Sequence, residues 1–300
     1  PLLLLLLLRT MRILQYNPLA LDQIRSADLS DECRNFDVMV ITGTQEKAEE
    51  GREVRLGNLP GHTAYSWGYK KSAHVTSAAG ISILVKPKMF KKPHVSLASV
   101  PALLRGRLAA LRMRDGNADI SIIGAYFPTR PRTARDRPNY EATVTKMISW
   151  IDAELSRLPY RSTPIIAMDL NDGLGARRTA AGMHFDHDDT IGCYGKEEEH
   201  YAGVAMHDLL KKHHMSVPST FRRGGATWFG PQPDQQSTID YLAIPTGACA
   251  TVSQAGPLAK LGARLQHILC RRARDHIPTF IKMDYKLRHP TSEPERLMWD

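Results

Sequence analysis

The stretch Pro164-Ile165-Ile166-Ala167-Met168-Asp169-Leu170-Asn171 decides the fold, because a short apolar strand ends there in a carboxylate and an amide. Asp169 and Asn171 are two residues apart, so both side chains leave the same face if the strand geometry persists. A carboxylate beside an amide can hold a water and a phosphate oxygen together. Taken alone, an Asp-x-Asn pair more often closes a strand with a simple turn.

Further polar signatures close strand-like apolar runs elsewhere in the chain. In chain order they are Asn17, Gln45-Glu46, Tyr126, Ile239-Asp240-Tyr241 and Asp275-His276. Hard oxygen ligands, an imidazole and hydrogen-bond donors are what divalent-metal phosphodiester hydrolysis requires. The set therefore predicts a Mg²⁺-dependent phosphoesterase whose functional side chains converge in one cleft.

The composition predicts one large globular domain with a polyanionic partner. The chain has 300 residues, of which 42% are hydrophobic and 24% charged, enough to bury a large core. A net charge of +9 and a pI near 9.4 favour binding to phosphates, since Lys and Arg gain affinity by releasing counterions. A basic, solvated surface without such a partner is the alternative.

The chain ends are expected to lie outside the folded domain. The run Leu2–Leu8 is far shorter than the roughly 20 residues needed to span a bilayer. We therefore expect a low-complexity extension at 1–10, a single domain at 11–286 and a polar tail or linker at 287–300. The widely spaced Cys33, Cys193, Cys249 and Cys270 lack zinc spacing and predict reduced thiols of an intracellular protein, nuclear or cytoplasmic, with no membrane partner.

Short runs rich in Val, Ile and Leu, bounded by Gly, Pro and Asn, predict strands. They are Arg12–Tyr16, Val38–Thr42, Gly80–Val85, Arg107–Met113, Asp119–Tyr126, Pro164–Met168, Ser237–Ile244 and Thr279–Met283. Helices are expected at Ala20–Ser26, Tyr140–Leu158 and Ala205–His213, and surface loops at Thr129–Asn139 and Ala176–His200. Gly80–Val85 and Arg107–Met113 are close enough in sequence to pair antiparallel. The pattern predicts an α/β (α+β) fold, a four-layer sandwich of two mixed, mainly antiparallel β-sheets packed face to face with helices outside.

The order and spacing of the signatures resemble the endonuclease/exonuclease/phosphatase superfamily, which includes abasic-site endonucleases, deoxyribonuclease I and the endonucleases of LINE-type retrotransposons. The resemblance runs from Met11 to about Tyr285. Within it, Thr190–Gly195, Pro218–Phe221 and Ala226–Trp228 favour the retrotransposon branch. Met168, Arg274 and Pro18 depart from the pattern at positions that affect backbone fit rather than ligands.

The resemblance implies a role for each signature residue. Asn17, Glu46 and Asp275 would bind the metal, Mg²⁺ or Mn²⁺, with Glu46 as the principal ligand. Tyr126 would contact the scissile phosphate, Asp169 would activate the attacking water, and Asn171 would steady the phosphate. Asp240 would orient the imidazole of His276, which acts on the phosphate or the nucleophile.

Basic clusters beside the signatures predict the nucleic-acid surface. Its candidate residues are Arg130, Arg132, Arg222, Arg223, Arg271 and Arg272, with Thr227 and Trp228 in the groove. Trp228 could equally be a core aromatic residue. The leading hypothesis is a DNA-nicking endonuclease of retrotransposon type, expected to be fused to a reverse transcriptase in a longer polyprotein. The alternatives are a phosphatase or phosphodiesterase acting on a small or lipid phosphate, and a catalytically decayed nucleic-acid-binding module.

Overall fold

The structure, a computed structural model, describes residues 8–18, 34–45, 52–54, 61–69, 79–87, 94–115, 118–232, 234–265 and 275–286. Its strands are β1 (Leu8–Tyr16), β2 (Val38–Thr42), β3 (Arg52–Val54), β4 (Thr63–Trp67), β5 (Ile81–Val85), β6 (His94–Leu97), β7 (Leu108–Asp115), β8 (Ala118–Tyr126), β9 (Thr163–Asp169), β10 (Gly175–Thr179), β11 (Gly182–Phe185), β12 (Glu197–Glu198), β13 (Met215–Ser216), β14 (Trp228–Phe229), β15 (Gln236–Ser237), β16 (Asp240–Pro245), β17 (Val252–Pro257), β18 (Asp275–His276) and β19 (Thr279–Lys286). The helices are α1 (Arg137–Arg157), α2 (Tyr201–Lys212) and α3 (Ala259–Leu265).

Two large mixed sheets form the framework of the described part of the chain. One has the strand order β17-β19-β1-β2-β5-β4-β3, and the other the order β13-β16-β9-β8-β7-β6. In the first sheet β1 and β2 are parallel, and in the second β8 and β9 are parallel. Their other strand pairs are antiparallel. Two small sheets, β11-β10-β12 and β15-β14-β18, are built on the loops.

The alternation of side chains along β1 and β2 explains why the first sheet is buried on both faces. Ile13 and Val40 belong to the main core cluster, whereas Leu14 and Met39 belong to a second cluster that includes Leu261 of α3. Successive residues of a strand point to opposite faces, so a continuous apolar run fills both. The α/β sandwich expected from the sequence is confirmed.

The helices follow from their apolar stripes. Along α1 the buried residues are Tyr140, Val144, Met147, Ile151 and Leu155, the spacing of one helical face. The α1 and α2 helices contact each other and contribute to the main core cluster. In the part of the chain that the structure covers, no helix is both long and apolar enough to cross a bilayer.

Some sequence expectations differ from the structure. Gly80–Val85 and Arg107–Met113 do not pair: β5 lies between β2 and β4 in one sheet, and β7 between β6 and β8 in the other, because the chain changes layers between them. The expected loop Ala176–His200 contains β10, β11 and β12, and α1 begins within Thr129–Asn139.

Strand boundaries also shift. β1 begins at Leu8 and pairs with β19 from there, so the strand begins within the segment 1–10 that the sequence predicts to lie outside the fold. The expected helix at Ala20–Ser26 lies outside the described residues.

Candidate active site

The strand register brings the signature residues to one edge of the two sheets. Tyr126 is opposite Asp169 where parallel β8 and β9 end. Asp169 is also opposite Asp240, the first residue of antiparallel β16. His276 lies on β18, opposite Trp228. Residues far apart in sequence therefore meet because their strands end, or begin, at the same edge.

His276 and Asp240 form a buried pair. The Nδ1 atom of His276 lies 2.9 Å from Oδ2 of Asp240, and their side chains are 5% and 0% exposed. With Nδ1 donating to the carboxylate, Nε2 faces Oδ2 of Asp169 at 3.8 Å. A carboxylate on one ring nitrogen fixes the tautomer and orientation of an imidazole and stabilises its charged form.

The side chain of Asn17 contacts both the carboxylate of Asp169 and the imidazole of His276. Its Nδ2 donates to Oδ2 of Asp169 at 2.7 Å and lies 3.4 Å from Nε2 of His276. Gly43, just after β2, packs against the other end of this amide: a Cβ on Gly43 would lie 2.5 Å from Oδ1 of Asn17. The backbone leaving β2 therefore helps to fix Asn17.

Tyr126 packs against a partly buried guanidinium. The guanidinium carbon of Arg107 lies 5.4 Å from the centroid of the Tyr126 ring, and Nη1 of Arg107 donates to the Tyr126 carbonyl at 3.2 Å. Burial, assisted by the charge of Asp169, raises the pKa of Tyr126 to about 12. The phenol is therefore a proton-carrying hydrogen-bond donor at neutral pH.

Asn171 and Asp275 have left-handed backbones, with φ of 51° and 65°. Such conformations are uncommon outside glycine and concentrate at functional sites. Asn171 donates its backbone N–H to Oδ1 of Asp169 at 3.1 Å and its Nδ2 to the carbonyl of Phe127 at 2.9 Å. Asp275 is more open, 33% exposed, and its Oδ1 lies 4.0 Å from Nε2 of His276.

The electrostatics of the site are those of crowded, buried acids beside one imidazole. Burial, followed by the negative charge of Asp240, raises the pKa of Asp169 to about 7. Burial alone would lower the pKa of His276, but Asp240, Asp169 and Asp275 outweigh it and raise the pKa to about 10. At neutral pH the imidazole is therefore charged, and Asp169 is able to exchange a proton.

The donor set and its charge fit a divalent cation. Ligand atoms of Asp169, Asp240 and His276 all lie within 4.8 Å of one another. Together with Asp275, three carboxylates share the site with one imidazole and the guanidinium of Arg107, which leaves one excess negative charge when Asp169 is ionised. Because Asp240 and Nδ1 of His276 already bond each other, the oxygens of Asp275 and Asn17 are the ones that would hold a hard cation, beside the carboxylate of Asp169.

The candidate nucleic-acid residues occupy different environments. Arg130 and Arg132 lie on the segment that follows β8, and both are exposed. Arg222 and Arg223 are exposed and line a cavity of about 510 Å³ whose wall includes Asp240. The guanidinium of Arg222 already donates to the carbonyls of Ser253 and Val252, at 2.8 and 2.5 Å.

Thr227 and Trp228 are less open than a groove residue would be. Thr227 is 1% exposed, and its hydroxyl accepts the backbone N–H groups of Ile239 and Asp240, each at 3.0 Å. Trp228 is half-buried. Thr227 therefore holds the start of β16 in place. Glu46, Arg271 and Arg272 lie outside the described residues.

Sequence reasoning missed four residues that shape the site. They are Gln15, Gly43, Arg107 and Asp172. The carboxylate of Asp172 accepts the N–H groups of Gly173, His200 and Gly203 at 2.9, 3.1 and 2.8 Å, which ties the loop after β9 to the start of α2. In the sequence, Asp172 could have been found from the polar run Asp169-Leu170-Asn171-Asp172. Gln15 could have been found as an amide inside an otherwise apolar strand.

The architecture resembles solved nucleases and phosphatases. An AP endonuclease, LMAP from Leishmania major, has a TM-score of 0.64 at 14% identity, over 92% of this chain and 88% of that chain. This chain shares the fold of that enzyme. The 3′ phosphatase NExo from Neisseria, bound to a product DNA hairpin, has a TM-score of 0.62 at 13% identity, over 92% and 100% of the two chains.

A retrotransposon enzyme also shares this fold. The endonuclease domain of TRAS1, a telomere-specific non-LTR retrotransposon, has a TM-score of 0.53 at 13% identity, over 91% of this chain and 98% of that chain. No protein-family model matches the sequence, and no curated protein matches it significantly.

Proposed function

We propose that this chain is a divalent-metal-dependent phosphodiester hydrolase that nicks DNA. The observation that carries the proposal is the buried His276–Asp240 pair, with Nε2 of His276 facing Asp169 at 3.8 Å. A proton acceptor beside a charged proton donor suits the hydrolysis of a phosphodiester.

In the proposed reaction Asp169 accepts a proton from the attacking water. Its pKa near neutrality matches that task, because a base works best when its pKa is close to the working pH. Asn17 and the backbone N–H of Asn171 each donate to one oxygen of this carboxylate. They hold it while the water loses its proton.

His276 and Tyr126 stabilise the charge that develops on the phosphoryl oxygens. The charged imidazole presents Nε2 to the site while Asp240 holds Nδ1, and the protonated phenol of Tyr126 supplies a second donor. A divalent cation bound by Asp275 and Asn17, with Glu46 as the principal ligand implied by sequence, would neutralise further negative charge.

DNA is the substrate we favour over a small phosphate. The net charge of +9 and the solvent-accessible Arg130, Arg132 and Arg223 suit a polyanion that extends beyond the scissile bond. The structure of NExo, which has this fold, includes a product DNA hairpin. We further propose the retrotransposon branch, an intracellular setting and fusion to a reverse transcriptase, on the sequence signatures given above.

A nicking assay on supercoiled plasmid tests the proposal. We expect open circles with Mg²⁺ or Mn²⁺ and none with chelator, and slower turnover of inositol phosphates than of DNA. Cleavage of an abasic oligonucleotide, measured in parallel, distinguishes an endonuclease specific for abasic sites from one that nicks intact DNA. Turnover of the inositol phosphate alone would favour the small-phosphate hydrolase, and DNA binding without any turnover would favour a decayed module.

A further inference from the structure

Gln15 is a buried amide at a position where an apolar side chain is expected. On β1 the residue two before it, Ile13, belongs to the core between the sheets, while Leu14 and Tyr16 belong to the cluster on the other face. By this alternation Gln15 points between the sheets with Ile13 and Asn17. It is 0% exposed, and burying an amide is unfavourable unless hydrogen bonds replace its water.

Among the described residues, the side-chain amide of Gln15 makes one hydrogen bond, and that bond goes to the catalytic pair. Its Nε2 donates to Oδ1 of Asp240 at 3.0 Å, while Oδ2 of Asp240 bonds Nδ1 of His276 at 2.9 Å. Its own carbonyl, Oε1, is buried and has no hydrogen-bond partner among the described residues. Stability alone does not explain a buried amide whose carbonyl is left without a donor.

Asp240 is held at both carboxylate oxygens and at its backbone N–H. Gln15 occupies one carboxylate oxygen, His276 the other, and the backbone N–H donates to Thr227. A carboxylate held at only one oxygen can rotate about its terminal torsion, which is broad. The donor on Oδ1 therefore fixes the plane in which Oδ2 meets the imidazole.

We infer that Gln15 is a positioning residue for the proposed hydrolysis: through Oδ1 of Asp240 it sets the orientation of the His276 imidazole toward the phosphate. This inference rests on the proposed function for its kinetic consequence. Its structural part, the control of the His276 ring through Asp240, does not depend on turnover.

The test compares variants of the same shape. Gln15→Met keeps the side-chain length and removes the donor, and Gln15→Glu keeps the shape and places a carboxylate against Asp240. Ser66→Ala is the matched control: the Ser66 and Ser82 hydroxyls form a buried hydrogen bond of 2.7 Å in the same sheet, between β4 and β5. The double variant Gln15→Met/Asp240→Asn asks whether Gln15 acts through Asp240.

We expect Gln15→Met to lower kcat for Mg²⁺-dependent plasmid nicking by about 10–100-fold, the usual effect of removing an outer hydrogen-bond partner, with KM within about twofold. Gln15→Glu should lose at least as much. Ser66→Ala should lower the thermal midpoint and leave kcat unchanged. On the Asp240→Asn background, Gln15→Met should cause no further loss.

A spectroscopic readout separates this inference from the proposed function. The Nδ1 proton of His276, bonded to Asp240, should give a downfield resonance in substrate-free parent protein that shifts or broadens in Gln15→Met and not in Ser66→Ala. If the parent cleaves no phosphodiester but the resonance moves, the function fails and the positioning role stands. If Gln15→Met keeps kcat within twofold and the resonance is unchanged, the positioning role is wrong. Should Gln15→Met fail to fold, Gln15→Glu provides the same comparison.

Discussion

At the scale of single residues, the site depends on a carboxylate kept in an unfavourable environment. Asp169 is fully buried and lies beside Asp240, and these effects raise its pKa from 3.8 to about 7. At a pH below the ordinary pKa of 3.8, the carboxyl of Asp169 is neutral in the folded and unfolded chains alike. As the pH rises, the unfolded chain ionises first, so the metal-free folded state loses stability until the folded carboxyl also ionises near pH 7.

Replacing this carboxylate should stabilise the metal-free protein at neutral and alkaline pH. In chelator, we expect the stability of Asp169→Asn relative to the parent to increase by about 2–3 kcal/mol between pH 5 and 7 and then to level off. Added Mg²⁺ should stabilise the parent more than the variant. Chemical denaturation across this pH range measures both effects.

Asp152→Asn is the control, since Lys212 and His213 lower the pKa of that partly exposed carboxylate. It should show no gain in stability. An Asp169→Asn protein no more stable than the parent at pH 8 would contradict the account of this acid.

At the scale of elements, the turn after β2 connects backbone geometry to the catalytic side chains. Gly43 has a φ of 64°, and a side chain there would meet Oδ1 of Asn17. The next residues are fixed from the other side, since the N–H groups of Thr44 and Gln45 donate to the carbonyls of Gly80 and Ala79 at 3.2 and 3.0 Å. The turn therefore has little room to move away from Asn17.

Gly43→Ala should lower both stability and activity. The left-handed backbone costs an alanine about 1–2 kcal/mol, and displacement of Asn17 from Asp169 should lower kcat by about 10–100-fold. Gly61→Ala is the matched control: Gly61 also has a positive φ, 91°, but no atom of the described residues lies within 4 Å of the point that a Cβ would occupy. Equal kcat values for the two variants would show that the turn does not position Asn17.

Elements whose signal is local could be predicted from the sequence. The apolar run Val38–Thr42 forms a strand with the expected ends, since its five residues are all buried. The hairpin β10–β11 carries no apolar alternation, so its sequence predicts a loop. The role of Gln15 could not be predicted from the sequence for a different reason. Its partner Asp240 lies 225 positions away, and only the assembled sheets bring the two residues together.

At the scale of the whole molecule, the distribution of charge decides between a polymeric and a small substrate. Arg130 and Arg132 follow β8, the strand whose last residue is Tyr126 of the candidate site. Arg157, 71% exposed, ends α1, just before β9 begins at Thr163. β9 ends in Asp169, so Arg157 marks the opposite edge of the sheet. Only Arg130 and Arg132, and not Arg157, are expected to contact a strand of DNA that crosses the site.

Salt dependence of duplex binding checks this expectation. For catalytically silent His276→Ala protein, log affinity should fall with log salt by about 0.9 for each phosphate contacted. Arg130→Ala and Arg132→Ala should each lower that slope by about one contact, whereas Arg157→Ala should leave it unchanged. A slope near zero for the His276→Ala protein without further substitution would indicate that the basic side chains are ordinary solvated surface residues.

The central claim, that the His276–Asp240–Asp169 cluster hydrolyses phosphodiesters, is tested most directly by single-turnover nicking of supercoiled plasmid in Mg²⁺. His276→Ala and Asp240→Asn should each lower the rate by about 10²–10⁴-fold. The rate of His213→Ala should stay within about twofold of the parent rate. This control also removes an imidazole paired with a carboxylate: Nε2 of His213 lies 2.6 Å from Oδ1 of Asp152, between α1 and the end of α2. Near-parental rates in His276→Ala and Asp240→Asn, or equal losses in all three variants, would contradict the claim.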